Sequence, residues 1–239
     1  IAQLAQGGAR VLTYGTGPAA DLRAVNIRQD GRAMTFDVEE RAERLGTVRL
    51  GAPGMHNVRN ALGAFAIARH AGATFEAART GLRSFAGVAR RFQELGSAHG
   101  ITIVDDYAHH PTEIVATLDT ARGTYPGRRI VAAFQPHLYS RTRELAAEFG
   151  RALATADIVL VSDVFPAREA PIAGVSGELV SRAAEAAGNA HVRYTATLDD
   201  MARALRAELR DCDVLVAMGA GDIGEMAHDL FDALAKGAA

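Results

Sequence analysis

Over the first third of the chain, apolar and polar residues alternate in short runs broken by turn formers; after that the apolar spacing becomes helical. The runs RVLTYG and DLRAVNIRQ are rich in β-formers, and QDGRAMTFDVE sets Asp30-Gly31 between two alternating stretches, the usual sign of a hairpin. Beyond TVRLGAPGMHN, the residues Val58, Leu62, Phe65, Ala66 and Arg69, with alanines between them, read as an amphipathic helix. TFEAARTGLRSF predicts a second, shorter one. Small strands followed by a helix pair make an odd start for a complete domain. Residues 1–87 therefore read as the closing portion of a domain that opens elsewhere.

A second rhythm begins near Gly87. RRFQELGSAHGITIVDDY predicts a hairpin ending in a buried strand, followed by a helix from Pro111 to about Arg122 and the strand RRIVAAFQ. A helix from about Tyr139 to Ala154, the strand DIVLVSDV and a helix from about Gly177 to Ala187 come next. The short strand HVRYT, a helix from Leu198 to Leu209, the strand DVLVAMG and a last helix complete the chain. Apolar strands separated by helices imply a parallel sheet covered on both faces. The expectation for residues 88–239 is a doubly wound α/β domain of about 150 residues.

Composition removes several classes of function. The chain has 239 residues, of which 49% are hydrophobic, enough for one large domain or two small ones. A formal net charge of −2 leaves no basic footprint for nucleic acid. No apolar run approaches the roughly 20 residues of a membrane span, so no membrane partner is expected. The opening IAQLAQGGARVLTYG has no basic region followed by an apolar core, as a signal peptide would. Its lack of an initiator methionine hints at a longer parent chain. A single cysteine, Cys212, cannot form an internal disulfide, which fits a cytoplasmic protein and equally a disulfide-free exported one.

Ligands of open parallel sheets sit beyond the carboxyl ends of the strands, and polar clusters follow four predicted strand ends: DDYAHHP, QPHLYSRT, DVFPARE and GAGDIG. In the first, Asp105 and Asp106 end a strand, and Thr112 and Glu113 fall in the first helical turn after Pro111, a favoured first-turn proline. His109 and His110 are adjacent and point to different sides, so they are poorly placed to chelate one metal, and no further Cys or His ligands occur at zinc spacing. Asp106 is a candidate acceptor for hydroxyls such as a ribose, and one imidazole a candidate for an anionic substrate. In the second cluster His137 and Arg141 lie four residues apart beside Ser140 at a helix start. Helix amino termini and arginine forks both suit carboxylate or phosphate.

GAGDIG, residues 219–224, spells a GxGxxG but lacks the strand and acidic residue about 20 positions on that a dinucleotide fingerprint requires. It is either a turn that lets backbone approach a ligand or a tight strand-to-helix turn. GMHNVRNALGAFAIA puts His56, Asn57 and Asn60 at a helix start, where Asn57 could be a simple N-cap. A carboxamide also offers the donor and acceptor that an adenine edge demands. Arg91, in VARRF, is a candidate phosphate contact.

These segments, in this order, resemble the Mur ligases, and most closely those that join L-alanine to UDP-N-acetylmuramate. The resemblance rests on GMHNVRNALGAFAIA, GVARRFQELG, VDDYAHHPTEI, AFQPHLYSRT, DVFPAREAPIAGVSG and GAGDI. It implies a three-domain ligase that uses ATP and Mg2+ in peptidoglycan precursor synthesis: a domain for the uridine nucleotide, a central ATPase-like domain and a C-terminal Rossmann-like domain. Residues 1–87 would close the central domain and residues 88–239 would form the last.

Carried over by the resemblance, Asn57 and Asn60 become adenine contacts, with His56 in the same stretch, and Arg91 a phosphate contact at the hinge. Asp106 and Tyr107 become nucleotide contacts; His109, His137 and Arg141 serve the amino acid and the reacting carboxyl phosphate. No GxxxxGK[ST] occurs, so the phosphate-cradling lysine and most metal ligands would lie in missing domains, and this fragment alone would be inactive. Leu138 stands where some members have an arginine. Two alternatives remain: a fragment of a ligase that recycles murein peptides, and a module that binds nucleotide or muramoyl ligand without turnover.

Overall fold

A computed structural model describes residues 11–237, so the opening stretch up to Arg10, read above for a signal peptide, lies outside the described residues. The chain divides into two compact units between Gly87 and Val88. In the first, strands β1 (Tyr14–Gly15), β2 (Leu22–Asp30), β3 (Ala33–Glu40) and β4 (Glu43–Leu50) form a sheet in that order. β2, β3 and β4 are antiparallel, and β1 runs parallel to β2. The Asp30-Gly31 hairpin is present, with Asp30 opposite Ala33.

β4 follows through a second hairpin that the sequence did not announce. Its turn residues, Arg41 and Ala42, have φ of 50° and 69°. Neither is glycine or asparagine, the residues that normally mark such a turn. Helices α1 (Met55–His70) and α2 (Phe75–Ser84) follow. Val58, Leu62 and Phe65 of α1 pack with Phe36, Val38, Val48 and Leu50 of the sheet, the helical face that the spacing predicted.

In the second unit, six strands lie in the order β5-β6-β10-β7-β8-β9: β5 (Gln93–Ala98), β6 (Ile101–Asp106), β7 (Arg129–Phe134), β8 (Ile158–Ser162), β9 (Val192–Thr195) and β10 (Asp213–Met218). Only the β5–β6 pairing is antiparallel; the others are parallel. The helices are α3 (Pro111–Thr124), α4 (Tyr139–Leu153), α5 (Glu178–Ala186), α6 (Leu198–Glu208) and α7 (Ile223–Ala235). Every residue of β10, from 213 to 218, is buried, as the central strand of a doubly covered sheet must be.

Successive strand residues face opposite layers. Val104, Ile130, Ala132, Phe134, Val214 and Val216 pack with α3, α4 and α5, while Ile103, Val131, Ala133, Leu215 and Ala217 pack with α6 and α7. The chain therefore leaves β6 toward one face and leaves its neighbour β10 toward the other. That divergence opens a crevice at the carboxyl ends of β6, β10 and β7, the switch point at which such sheets bind ligands. Among the described residues no helix is long and apolar enough to cross a membrane.

Candidate functional site

β6 delivers two carboxylates to the crevice. Asp106, 4% exposed, accepts from the main-chain N–H groups of Phe92 and Ala108, each at 2.8 Å. Burial pushes its pKa up to about 6 against these two bonds and a third from Thr117. It is thus committed to the turn that follows the strand. Asp105, fully buried, makes no hydrogen bond through either oxygen; its closest charge is Arg90, with Nε 3.5 Å from Oδ2. Burial raises its pKa, opposed by Arg90 and His228.

Arg90 was not singled out by the sequence, which favoured its neighbour Arg91. Its Nη2 donates to the carbonyls of Gly219 and Gly221 at 2.9 and 3.2 Å, and its guanidinium lies 4.9 Å from the centre of the Tyr107 ring. Arg91 lies 5.6 Å from the same ring and 3.8 Å from Glu113, with half its side chain exposed. Tyr107 is therefore flanked by two cations, an arrangement that favours a fixed ring.

A row of rings leads from there across the strand ends. Tyr107 meets His109 edge-on at 5.2 Å, His109 meets His137 at 5.9 Å, and His137 stacks on Phe165 at 5.8 Å. His109 Nδ1 is 2.8 Å from the Tyr107 carbonyl. His110 turns the other way: it caps α3, accepting from Thr112 N, while Glu113 accepts from the N–H groups of His109 and His110. This capping box, with Pro111 behind it, fixes the start of α3.

Besides the Asp105 oxygens and Arg90 Nε, which face one another, His137 Nδ1 and Arg141 Nη1 are buried without a hydrogen-bond partner. Burial, then the charges of Arg141 and His109, push the His137 pKa down, so its ring is neutral at neutral pH. A neutral imidazole beside a guanidinium can bind a carboxylate or phosphate oxygen without itself carrying charge. Leu138 between them has φ 72° and ψ 130°, a conformation that costs a non-glycine residue about 1–3 kcal/mol.

The GAGDIG turn serves packing. A methyl group on Gly221 would lie 2.4 Å from Gln135 Oε1 and 2.6 Å from the Phe165 ring. Gln135 itself donates to Asp222 and accepts from Ile223 N. Gly221→Ala is expected to lower stability by about 1–3 kcal/mol through overpacking, read as a shift of the urea midpoint at constant slope; an unchanged midpoint would show that the turn tolerates a Cβ.

In the first unit, α1 begins at Met55, so its N-cap is Gly54 and not Asn57. Asn57 sits in the first turn and donates its amide to the Pro53 carbonyl at 2.8 Å. His56 stands beside it half-buried, and Asn60 is exposed one turn on.

Residues 90–221, more than half of the chain, match the Mur ligase, glutamate ligase domain, and the chain belongs to the Mur ligase family. It is 49% identical over 214 residues to the UDP-N-acetylmuramate–L-alanine ligase of Salinibacter ruber, covering 90% of this chain and 45% of that protein. The crystal structure of the UDP-N-acetylmuramate-alanine ligase MurC of Thermotoga maritima aligns with a TM-score of 0.79 at 26% identity, over 92% of this chain and 47% of that one. A murein peptide ligase of Psychrobacter arcticus aligns with a TM-score of 0.63 at 27% identity, over 93% and 46%. The chain spans about half the length of the curated relatives it matches.

Proposed function

We propose that this chain is the C-terminal half of an ATP-dependent ligase that joins L-alanine to UDP-N-acetylmuramate in cytoplasmic peptidoglycan precursor synthesis. The observation that supports it most is the unsatisfied pair His137 and Arg141 at the strand ends, in a chain related over nine-tenths of its length to ligases of that name. In the reaction, a muramoyl carboxylate oxygen attacks the γ-phosphorus of ATP, and ADP leaves. The amine of L-alanine attacks the resulting acyl phosphate; a tetrahedral intermediate collapses to the amide as the C–O bond to phosphate breaks and the amine loses its proton. Negative charge builds on the acyl phosphate and on the tetrahedral oxygen, and preorganised donors stabilise both.

Arg141 and His137 are the donors of this chain for the amino-acid carboxylate and the reacting phosphate, with His109 behind His137. Tyr107 and Arg91 contact the nucleotide, and Asp106 contributes by holding the Tyr107–Ala108 turn. Asn57, Asn60 and His56 of the first unit take the adenine. Magnesium would enter with ATP, whose phosphates carry the charge it neutralises.

The acyl-phosphate route is tested in the full-length protein with 18O in the muramoyl carboxylate: one labelled oxygen should appear in the released phosphate. Label confined to the amide product would contradict it. Asn60→Ala is expected to raise KM for ATP about tenfold, the loss of one good hydrogen-bonded contact, and to leave KM for L-alanine nearly unchanged. The reverse pattern in steady-state kinetics would remove Asn60 from the adenine site.

A further inference from the structure

Helix α4 begins without a cap of its own. Leu138 stands at the N-cap position and has no side-chain acceptor, so the first-turn N–H groups need an acceptor from elsewhere in the chain. Glu169, in the loop between β8 and α5, supplies it. One carboxylate oxygen accepts from Ser140 N at 2.9 Å and the other from Ser140 Oγ at 2.5 Å; the Tyr139 N–H adds a further bond. These bonds hold the Glu169 pKa below its ordinary value, with Ser140 the chief cause.

The same loop grips the residues just before the helix. Leu138 N donates to the Phe165 carbonyl at 3.0 Å, and Phe165 N donates to the Pro136 carbonyl at 2.8 Å. The Phe165 ring lies nearly parallel to His137 at 15°. Segment 136–140 is thus zipped to residues 165–169, and its strained Leu138 is held by partners outside its own helix. Charge matters as well: Glu169 acts electrostatically on both His137 and Arg141. A carboxylate at the positive end of α4 occupies the Ser140 N–H that an incoming anion would otherwise use.

We propose that Glu169 is a positioning residue of this ligase site: by capping α4 from the neighbouring loop, it fixes His137 and Arg141 and directs the amino-acid carboxylate to the guanidinium and imidazole, away from the helix terminus. This rests on the functional reading above. Glu169 itself touches no reacting atom. Its effect passes through Ser140 and the first turn of α4.

The test compares Glu169→Ala, Glu169→Gln and wild type in the full-length protein by kinetics and by hydrogen exchange of the 138–145 amides. Alanine should raise KM for L-alanine about tenfold, as expected for loss of a cap that orients the contact residues, with KM for ATP unchanged. It should also speed exchange at residues 139–142. Glutamine keeps an acceptor for Ser140 N and a partner for its hydroxyl, so it should recover most of both effects.

Unchanged exchange in Glu169→Ala overturns the proposal whatever the substrate is. Equal losses for ATP and L-alanine, with faster exchange throughout the chain, also overturn it by reducing Glu169 to general stability. A wild-type enzyme that ignores L-alanine would sink the functional reading alone; the amine it does use then replaces L-alanine in the same kinetic comparison.

Discussion

Replacing Arg141 by alanine in the full-length protein is expected to lower kcat/KM for L-alanine by roughly 30- to 150-fold, the equivalent of about 2–3 kcal/mol for a desolvated charge-assisted contact. The reason is local. Nη1 of Arg141 is buried with no hydrogen-bond partner in the protein, so its desolvation is already in place and a bound anion would supply the missing acceptor. Arg141→Lys should recover little, because a point ammonium does not reproduce a planar fork. KM for ATP should hardly move. An unchanged kcat/KM would take Arg141 out of the site, and an equal rise in KM for ATP would make it a nucleotide contact instead.

The second large effect is on stability. Asp106→Ala removes the acceptor of two main-chain N–H groups, Phe92 and Ala108, and of Thr117. Leaving buried donors unpaired costs about 1–3 kcal/mol each, so a loss of about 2–5 kcal/mol is expected in urea unfolding near pH 4. The loss should shrink toward neutral pH. Burial raises the Asp106 pKa to about 6 in the folded chain, above the usual unfolded value near 3.9, so the folded state holds the proton more tightly. Its stabilising contribution is complete below the unfolded pKa and is lost as pH rises through about 6. A rise of about two units corresponds to about 3 kcal/mol. Wild type should therefore lose more stability than the variant between pH 4 and 7; parallel profiles would show that Asp106 titrates normally.

Much of the second unit is legible because a parallel sheet writes itself into sequence. ITIV, IVAAF, IVLV and VLVAM are almost wholly buried and hence, Thr102 apart, apolar throughout, and Pro111 with Glu113 marks the start of α3. What was missed depends on contacts that have no local signature. The β3–β4 turn uses Arg41 and Ala42 at positive φ, residue types that announce nothing. Asn57 looks like a cap, yet the N-cap is Gly54, three residues earlier.

At the site, the polar clusters after the strands did converge on one crevice, as strand topology requires. Arg90 and Glu169 escaped notice for a different reason. Arg90 acts on carbonyls 129 and 131 residues away in sequence, and Glu169 on a helix 29 residues before it. Neither spacing repeats, so no period or motif could reveal them. Of two adjacent arginines, composition cannot say which one turns inward; the long-range contacts with Gly219, Gly221 and Asp105 identify Arg90.

The most direct measurement is amine-dependent phosphate release by the full-length protein, given ATP, magnesium and UDP-N-acetylmuramate with L-alanine or with a murein tripeptide. Steady release with L-alanine and little with the tripeptide is expected. Release with the tripeptide alone would make this a recycling ligase, and release with neither, despite bound nucleotide, would contradict the assignment of His137 and Arg141 to amide-bond formation.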